Sequence, residues 1–211
     1  MAPALLVIAK APVPGRVKTR LTPPCTPEQA ARIAAAAIAD TLAAVAAVQR
    51  EARRIVVLDG EPGPWIPHGF DVIAQRGDGL AERLAAAFAD AGGPAFLIGM
   101  DTPQVTPALL AAGLDAVRDR DAAFGAALDG GYWGIGLREP DTRVFEDVPM
   151  SGDNTGAVQR ARLAILGLQT AILPPLRDID TIEDARAVAR VAPDGRLAAA
   201  LAEIEPEALA A

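Results

Sequence analysis

The sequence predicts one α/β domain built on a largely parallel sheet. Three observations lead there. Short apolar runs alternate with longer Ala-rich amphipathic runs, the pattern of βαβ units. Residues that cap helices stand where the long runs begin. The 211 residues suffice for one substantial core, and a second domain is disfavoured. In chain order, strands are expected near Ala4 to Ala9, Arg54 to Leu58, Phe70 to Ala74, Ala95 to Met100, Ala122 to Ala127, Tyr132 to Leu137 and Thr170 to Leu173. Helices are expected over Pro27 to Gln49, with Thr26 as cap and Pro27 at the first position, over Gly79 to Ala91, and over Pro107 to Arg118 capped by Thr106. Further helices are expected from about Asn154 to Leu166, from Ile182 to Val191 and from Arg196 to Glu203. No repeat or long linker divides the chain.

Composition narrows the function. Hydrophobic residues make up 51% of the chain, with Ala supplying much of it, and aromatics 4%. Charged residues interrupt the apolar stretches before the roughly 18 residues of a membrane span, so none is expected. The amino terminus runs straight into strand-like sequence without a charged leader, and one cysteine, Cys25, permits no internal disulfide. Both features fit a cytoplasmic protein. A formal charge of −7 argues against sequence-independent nucleic-acid binding, which needs Lys and Arg to neutralise phosphates. Its distribution is uneven. Residues 1–27 hold Lys10, Arg16, Lys18 and Arg20 and no acid, so +4 is concentrated there and −11 falls on the rest. Such a patch suits a small polyanion.

In α/β sheets ligands bind beyond the carboxyl ends of the strands, so the residues that follow each strand carry the functional signal. After the first strand comes Lys10-Ala-Pro-Val-Pro-Gly15-Arg16-Val-Lys18-Thr-Arg20-Leu, a stiff basic loop in which Gly15 allows close backbone approach. It is not a P-loop, because Val17 and Pro12 stand where that motif needs glycines. The fourth strand delivers Asp101 to the sheet mouth just before Pro103. Asp178-Ile-Asp180-Thr-Ile-Glu-Asp184 follows the seventh strand and opens a helix. Two carboxylates from separate strand ends suit Mg²⁺ or Mn²⁺, which keeps water and phosphate oxygens as its other ligands. Asp180 could instead cap the following helix. Between these acids lies Asp129-Gly130-Gly131-Tyr132-Trp133, whose glycines permit close approach and whose aromatics could stack a base or sugar, or simply brace a hairpin. His68 reads as a surface-loop residue, and Cys25 has no His placed to activate it.

Taken together, Lys10 to Leu21, Gly99-Met-Asp-Thr-Pro103, Asp129-Gly-Gly-Tyr132 and Asp178-Ile-Asp-Thr181 resemble the DUF2064 family, also called rSAM/selenodomain-associated transferase 1, of the nucleotide-diphospho-sugar transferase (GT-A) superfamily. The resemblance spans nearly the whole chain. It implies a GT-A three-layer αβα sandwich with a mixed, mostly parallel sheet and a nucleotide bound over the first strand's loop. Asp101 then matches the metal-binding aspartate after the fourth strand, and Asp180 matches the second one of phospholactate guanylyltransferase-like relatives. Met100 stands where relatives usually carry Ser or Thr. The stretch from Ser151 to Thr155 loosely follows a family Ser-Thr element at a helix start.

The resulting expectation is a Mg²⁺-dependent transferase that moves a nucleotidyl group from a nucleoside triphosphate to a small phosphorylated acceptor. Lys10, Gly15, Arg16, Lys18 and Arg20 would contact the nucleotide's phosphates, with Lys18, Arg16 and Asp101 as the catalytic set. Asp101 and Asp180 would hold the metal, and Asp129, Gly130, Gly131, Tyr132 and Trp133 would face the acceptor. Glycosyl transfer from a nucleoside diphosphate sugar, and a nucleotide-binding sensor without turnover, are the alternatives. The expected partners are small molecules, with no nucleic acid and no membrane span, and a homodimer is allowed.

Overall fold

The computed structural model describes residues 2–150 and 152–208, so Ser151 lies outside the described residues. Its strands are β1 (Ala4–Lys10), β2 (Arg53–Asp59), β3 (Asp71–Ala74), β4 (Ala95–Gly99), β5 (Ala122–Ala127), β6 (Tyr132–Leu137) and β7 (Thr170–Leu176). Its helices are α1 (Pro27–Ala46), α2 (Leu80–Ala91), α3 (Pro107–Asp119), α4 (Thr155–Ile165), α5 (Ile182–Val191) and α6 (Arg196–Ala208). The strands form one sheet in the order β3-β2-β1-β4-β6-β5-β7. Strands β1, β2, β3 and β4 are parallel, with helical crossovers from β1 to β2 and from β3 to β4 and a loop from β2 to β3, and β5 is parallel to β7. Only β6 runs antiparallel, because four residues join it to β5 and a parallel return needs a dozen or more. That reversal brings Asp129 to Tyr132 to the carboxyl ends of the neighbouring strands.

Alternation along the strands sends side chains to both faces. Leu5, Val7, Val56, Phe96 and Ile98 meet α1 and α3 through Ile38, Leu42, Leu110 and Leu114. On the other face Leu6, Ile55, Val57, Leu97 and Phe124 meet Leu84 and Phe88 of α2 and Leu163 of α4. This is the expected three-layer mixed α/β sandwich. A third cluster joins the outer side of α1, through Ala30, Ile33 and Ala37, to Ile182, Val188, Leu197 and Leu201 of α5 and α6. Helix α1 is therefore covered on two sides. It is also long and apolar enough to meet the length and composition of a membrane span, with a mean hydropathy of 1.3, which corrects the sequence expectation. Here that apolarity serves two core contacts.

The helix starts agree with the capping signals. Thr26 accepts from Gln29 N at 3.2 Å, while the Gln29 side chain accepts from Thr26 N at 2.9 Å. Thr106 accepts from Leu109 N in the same way. Three elements end elsewhere than expected, one of them α6, which runs to Ala208 rather than Glu203. Helix α1 stops at Ala46 because the chain turns through exposed Gln49 to Glu51 to enter β2. Strand β7 runs past Pro174 and Pro175 to Leu176, which an edge strand tolerates because those residues face no second ladder partner. Its register against β5 shifts at that point.

Candidate functional site

A cleft of about 570 Å³ opens across the carboxyl ends of β1, β4 and β7 and the start of β6. The loop after β1 forms one wall. Lys10 ends the strand, 3.8 Å from the Asp59 carboxylate, and Arg16 projects from the exposed turn at Gly15. Beyond the turn Lys18 takes a left-handed backbone conformation, φ 48° and ψ 40°, which is uncommon for a residue with a side chain. That conformation folds the ammonium inward. Lys18 Nζ lies 2.7 Å from Asp101 Oδ1 with 8% of the side chain exposed, and it donates to the Ile179 carbonyl. The contact with Asp101 is one of charge, since Oδ1 has no aligned hydrogen bond. Arg20 Nη1 lies 2.7 Å from Asp180 Oδ2, in a pair open to water.

Carboxylates line the opposite wall. Asp101 comes from β4, Asp129 from the hairpin between β5 and β6, and Asp178 and Asp180 from the segment after β7. Ile179 N donates to Asp101 O at 2.9 Å, which fixes that segment against the end of β4. Asp178 is the most strained of the four. Burial, and then the negative charge of Asp129, push its carboxyl up to about 6, with Asp180 and Asp101 adding to the effect. The sequence reading paired Asp101 with Asp180, but each of these rests against a cation of the β1 loop. Asp178 is the carboxylate on which the others converge. Nor does Asp180 cap α5: Thr181 does, accepting from Asp184 N at 3.2 Å while Asp184 accepts from Thr181 N at 3.0 Å.

The hairpin contributes backbone more than rings. Gly130 adopts φ 93°, and a Cβ there would stand 1.8 Å from the Asp153 carbonyl oxygen. Gly156 N donates to Gly130 O at 2.8 Å, docking the turn on the start of α4. Gly131 N donates to Asp129 Oδ1 at 2.8 Å. Tyr132 and Trp133 border the cleft but have other work. Trp133 is buried, donates from Nε1 to Pro174 O at 3.0 Å and meets Phe96 edge-on at 5.7 Å. The Tyr132 ring packs against Phe124 at 5.5 Å, its hydroxyl faces Gln159 Oε1 at 3.4 Å, and burial pushes its phenol up. Trp133, with 2% of its surface exposed, is engaged in the core rather than presented to the cleft.

A further cleft segment escaped the sequence reading. Gln75 to Leu80 follows β3 and opens α2, and Gln75, Leu80 and Leu84 line the cleft. The Gln75 side chain donates to Ala9 O at 2.8 Å and Val57 O at 3.1 Å, stitching three strand ends together. Arg83 holds it from behind, 3.3 Å from Gln75 Oε1 and from Asp59 Oδ2, and donates to Gly77 O at 3.1 Å. The signal was a Gly-Asp-Gly turn at a strand end, the position already singled out after the other strands. Outside the cleft, His68 is exposed, and Cys25 is buried, its thiol pushed up by burial.

The family model described as "Uncharacterized protein conserved in bacteria (DUF2064)" matches residues 29–152. The chain belongs to the DUF2064 family. The matched segment holds Asp101 and Asp129 to Trp133, whereas the β1 loop and Asp178 to Asp180 lie outside it. A structural likeness covers those parts of the DUF2064 chain too. A candidate nucleotide-diphospho-sugar transferase from Desulfovibrio desulfuricans G20 has a TM-score of 0.87 and 26% identity over 99% of this chain and 97% of that one. CMP:2-keto-3-deoxy-manno-octonic acid synthetase in complex with CTP has a TM-score of 0.60 at 14% identity over 92% and 100%. A Mycobacterium tuberculosis H37Rv protein solved with manganese has a TM-score of 0.52 at 21% identity over 89% and 98%. The last two share the fold. No curated protein matches the sequence.

Proposed function

We propose that this DUF2064 chain is a divalent-metal-dependent transferase that binds a nucleoside triphosphate over the β1 loop and passes its nucleotidyl group to a small acceptor. The observation that carries the reading is a single cleft with a cation-bearing loop on one wall and four converging carboxylates on the other. Adjacent strands lie about 4.8 Å apart, so β1 and the β5 hairpin, three places away in the sheet, are separated by about 14 Å. That span accommodates phosphates at one end and an acceptor at the other. The likeness to the Desulfovibrio desulfuricans protein supports nucleotide use.

The donor set fits a divalent ion. Asp178 is crowded by three like charges that a cation would relieve. Among the described residues no group of three or more acidic, His or Cys side chains is arranged to hold a metal ion. One or two carboxylates plus water and phosphate oxygens are the usual complement of Mg²⁺. Asp178 with one of Asp101 and Asp180 would hold it, the phosphates completing the set, and when bound it would supply charge neutralisation to the phosphates. Lys10 and Arg16 flank a side cavity of about 220 Å³ and are placed to meet the phosphate tail. Lys18 and Arg20 would balance charge growing on a departing pyrophosphate. The Gly130–Gly131 backbone shapes the acceptor end.

One observation favours glycosyl transfer as a second reading. Three of the four loop cations already rest on carboxylates, Lys18 on Asp101, Arg20 on Asp180 and, at 3.8 Å, Lys10 on Asp59, and the looser Lys10 with Arg16 suffices for a diphosphate. Products separate the two. Incubation with Mg²⁺, nucleoside triphosphates and an acceptor panel is expected to release pyrophosphate. Release of a nucleoside diphosphate from nucleotide sugars would select the second reading, and tight binding with neither product would reject both.

A further inference from the structure

Lys10 and Lys18 are the two lysines of this chain, and the other eighteen basic side chains are arginines. Both flank the β1 loop. An arginine fork suits a fixed bidentate contact, whereas a lysine ammonium is a compact charge on a flexible stem that can pass from one oxygen to another. Lys18 sits on Asp101 in an uncommon left-handed backbone conformation, held on that oxygen without an aligned hydrogen bond. Arg20, two residues on, donates from Nη1 to Asp180 Oδ2 at 2.7 Å. Both pairs join residues some 80 to 160 positions apart, so they close the loop over the cleft rather than brace a local turn. The cations that a phosphate chain would need and the carboxylates that a metal would need are engaged with each other.

We propose that the β1 loop is a latch opened by a divalent cation. In the resting protein Lys18 and Arg20 occupy Asp101 and Asp180. A cation entering the carboxylate cluster competes for those oxygens, repels the ammonium and guanidinium, and frees both for the phosphates. This rests on the reading of the cleft as a nucleotide site and adds an order to it: the metal, or a metal–nucleotide chelate, releases the loop, while a metal-free polyphosphate meets cations already engaged.

With two lysines in the chain, amine acetylation read by peptide mass spectrometry reports on the latch. An added lysine-containing peptide is the reference, because Lys10 itself flanks the phosphate cavity. Mg²⁺ alone is expected to raise the ratio of Lys18 labelling to that of the peptide at least about tenfold, equivalent to 1.4 kcal/mol in the opening equilibrium. Inorganic tripolyphosphate added with Mg²⁺ should return the ratio towards its starting value, and tripolyphosphate alone should leave it unchanged. Asp101→Asn, with its melting curve recorded alongside, should label fast without metal and ignore its addition. A ratio unmoved by Mg²⁺, or raised equally by KCl of the same ionic strength, or raised by tripolyphosphate alone, overturns the latch. Product release is measured separately. Turnover with a flat labelling ratio defeats the latch alone, and the expected labelling pattern without turnover on any nucleotide defeats the functional reading alone.

Discussion

Replacing Asp178 with Asn should make the metal-free protein more stable at neutral pH, a direction opposite to that of most substitutions. Its carboxyl is pushed from 3.8 to about 6 by burial and by Asp129, Asp180 and Asp101. At about 1.36 kcal/mol per pH unit that displacement corresponds to about 3 kcal/mol above pH 6. The side chain keeps part of its contact with water, and screening reduces the figure to about 1–2 kcal/mol. Because the folded-state value is raised, the native protein binds the proton more tightly than the unfolded chain does, so stability is lost as pH rises from about 4 to about 6. Asparagine has no such dependence. Melting curves from pH 4 to 7.5 should show the variant and the native protein together at the acid end. They should diverge by about 2–8 °C above pH 6, at 2–4 °C per kcal/mol for a chain of this size. Mg²⁺ should close the gap by stabilising the native protein more than the variant. An equal shift at pH 4 and 7.5 would mean that packing, not charge, distinguishes the two side chains, and a loss of stability at pH 7.5 would refute the crowding of carboxylates.

Four more outcomes bear on the site. Lys18→Ala and Arg20→Ala should weaken triphosphate binding in the presence of Mg²⁺ by about 1.5–3 kcal/mol per charge-assisted contact and monophosphate binding by less, as titration calorimetry would show. Asp180→Asn should leave the melting temperature nearly unchanged, because its pair with Arg20 is open to water, whereas Thr181→Ala should cost about 1 kcal/mol through loss of the α5 cap. Gly130→Ala, at φ 93° and against the Asp153 carbonyl, should cost about 2–4 kcal/mol and show as a melting temperature about 5–10 °C lower. Arg83→Met should lower stability by about 1–2 kcal/mol and weaken nucleotide binding, because it releases Gln75 and the Gly77 turn together.

The elements were legible because each announces itself locally. Thr26-Pro27, Thr106-Pro107 and the alternation in β1, β2 and β4 need no distant information, and six of the seven strand expectations lie within a residue of the observed bounds. Strand β7 ran past its expected end because the tolerance for Pro174 and Pro175 depends on its edge position, which only the topology reveals. In the site the same division holds. Asp101, Asp180 and the basic loop were readable as residues after strands, but their pairing across some 80 to 160 positions was not. Asp178 was passed over in favour of Asp180 because its crowding comes chiefly from Asp129, on a hairpin nearly fifty residues earlier. Trp133 was read as able to stack a base or sugar because its burial, its edge contact with Phe96 and its N–H bond to Pro174 O come from distant residues.

The charge arrangement bears on what kind of ligand can bind well. A metal ion alone would satisfy the carboxylates but leave Lys18 and Arg20 displaced and unpaired. A free triphosphate would satisfy the cations but leave Asp101, Asp178 and Asp180 facing one another with less positive charge nearby. Either ligand gains one set of contacts by breaking another, and an ion pair as exposed as Arg20–Asp180 offers little net gain when exchanged. A metal–triphosphate chelate carries both charges. It supplies a cation to the acids and anionic oxygens to the bases in one event, so no charge is stranded. Affinity for the chelate should therefore exceed what the separate affinities for metal and triphosphate imply, and the excess is the coupling free energy between the two walls. Closing the cycle by calorimetry with metal, tripolyphosphate and both measures that excess directly. A value near zero would mean that the loop and the carboxylates act independently, and the ion pairs that join them in the resting protein would then be incidental to binding.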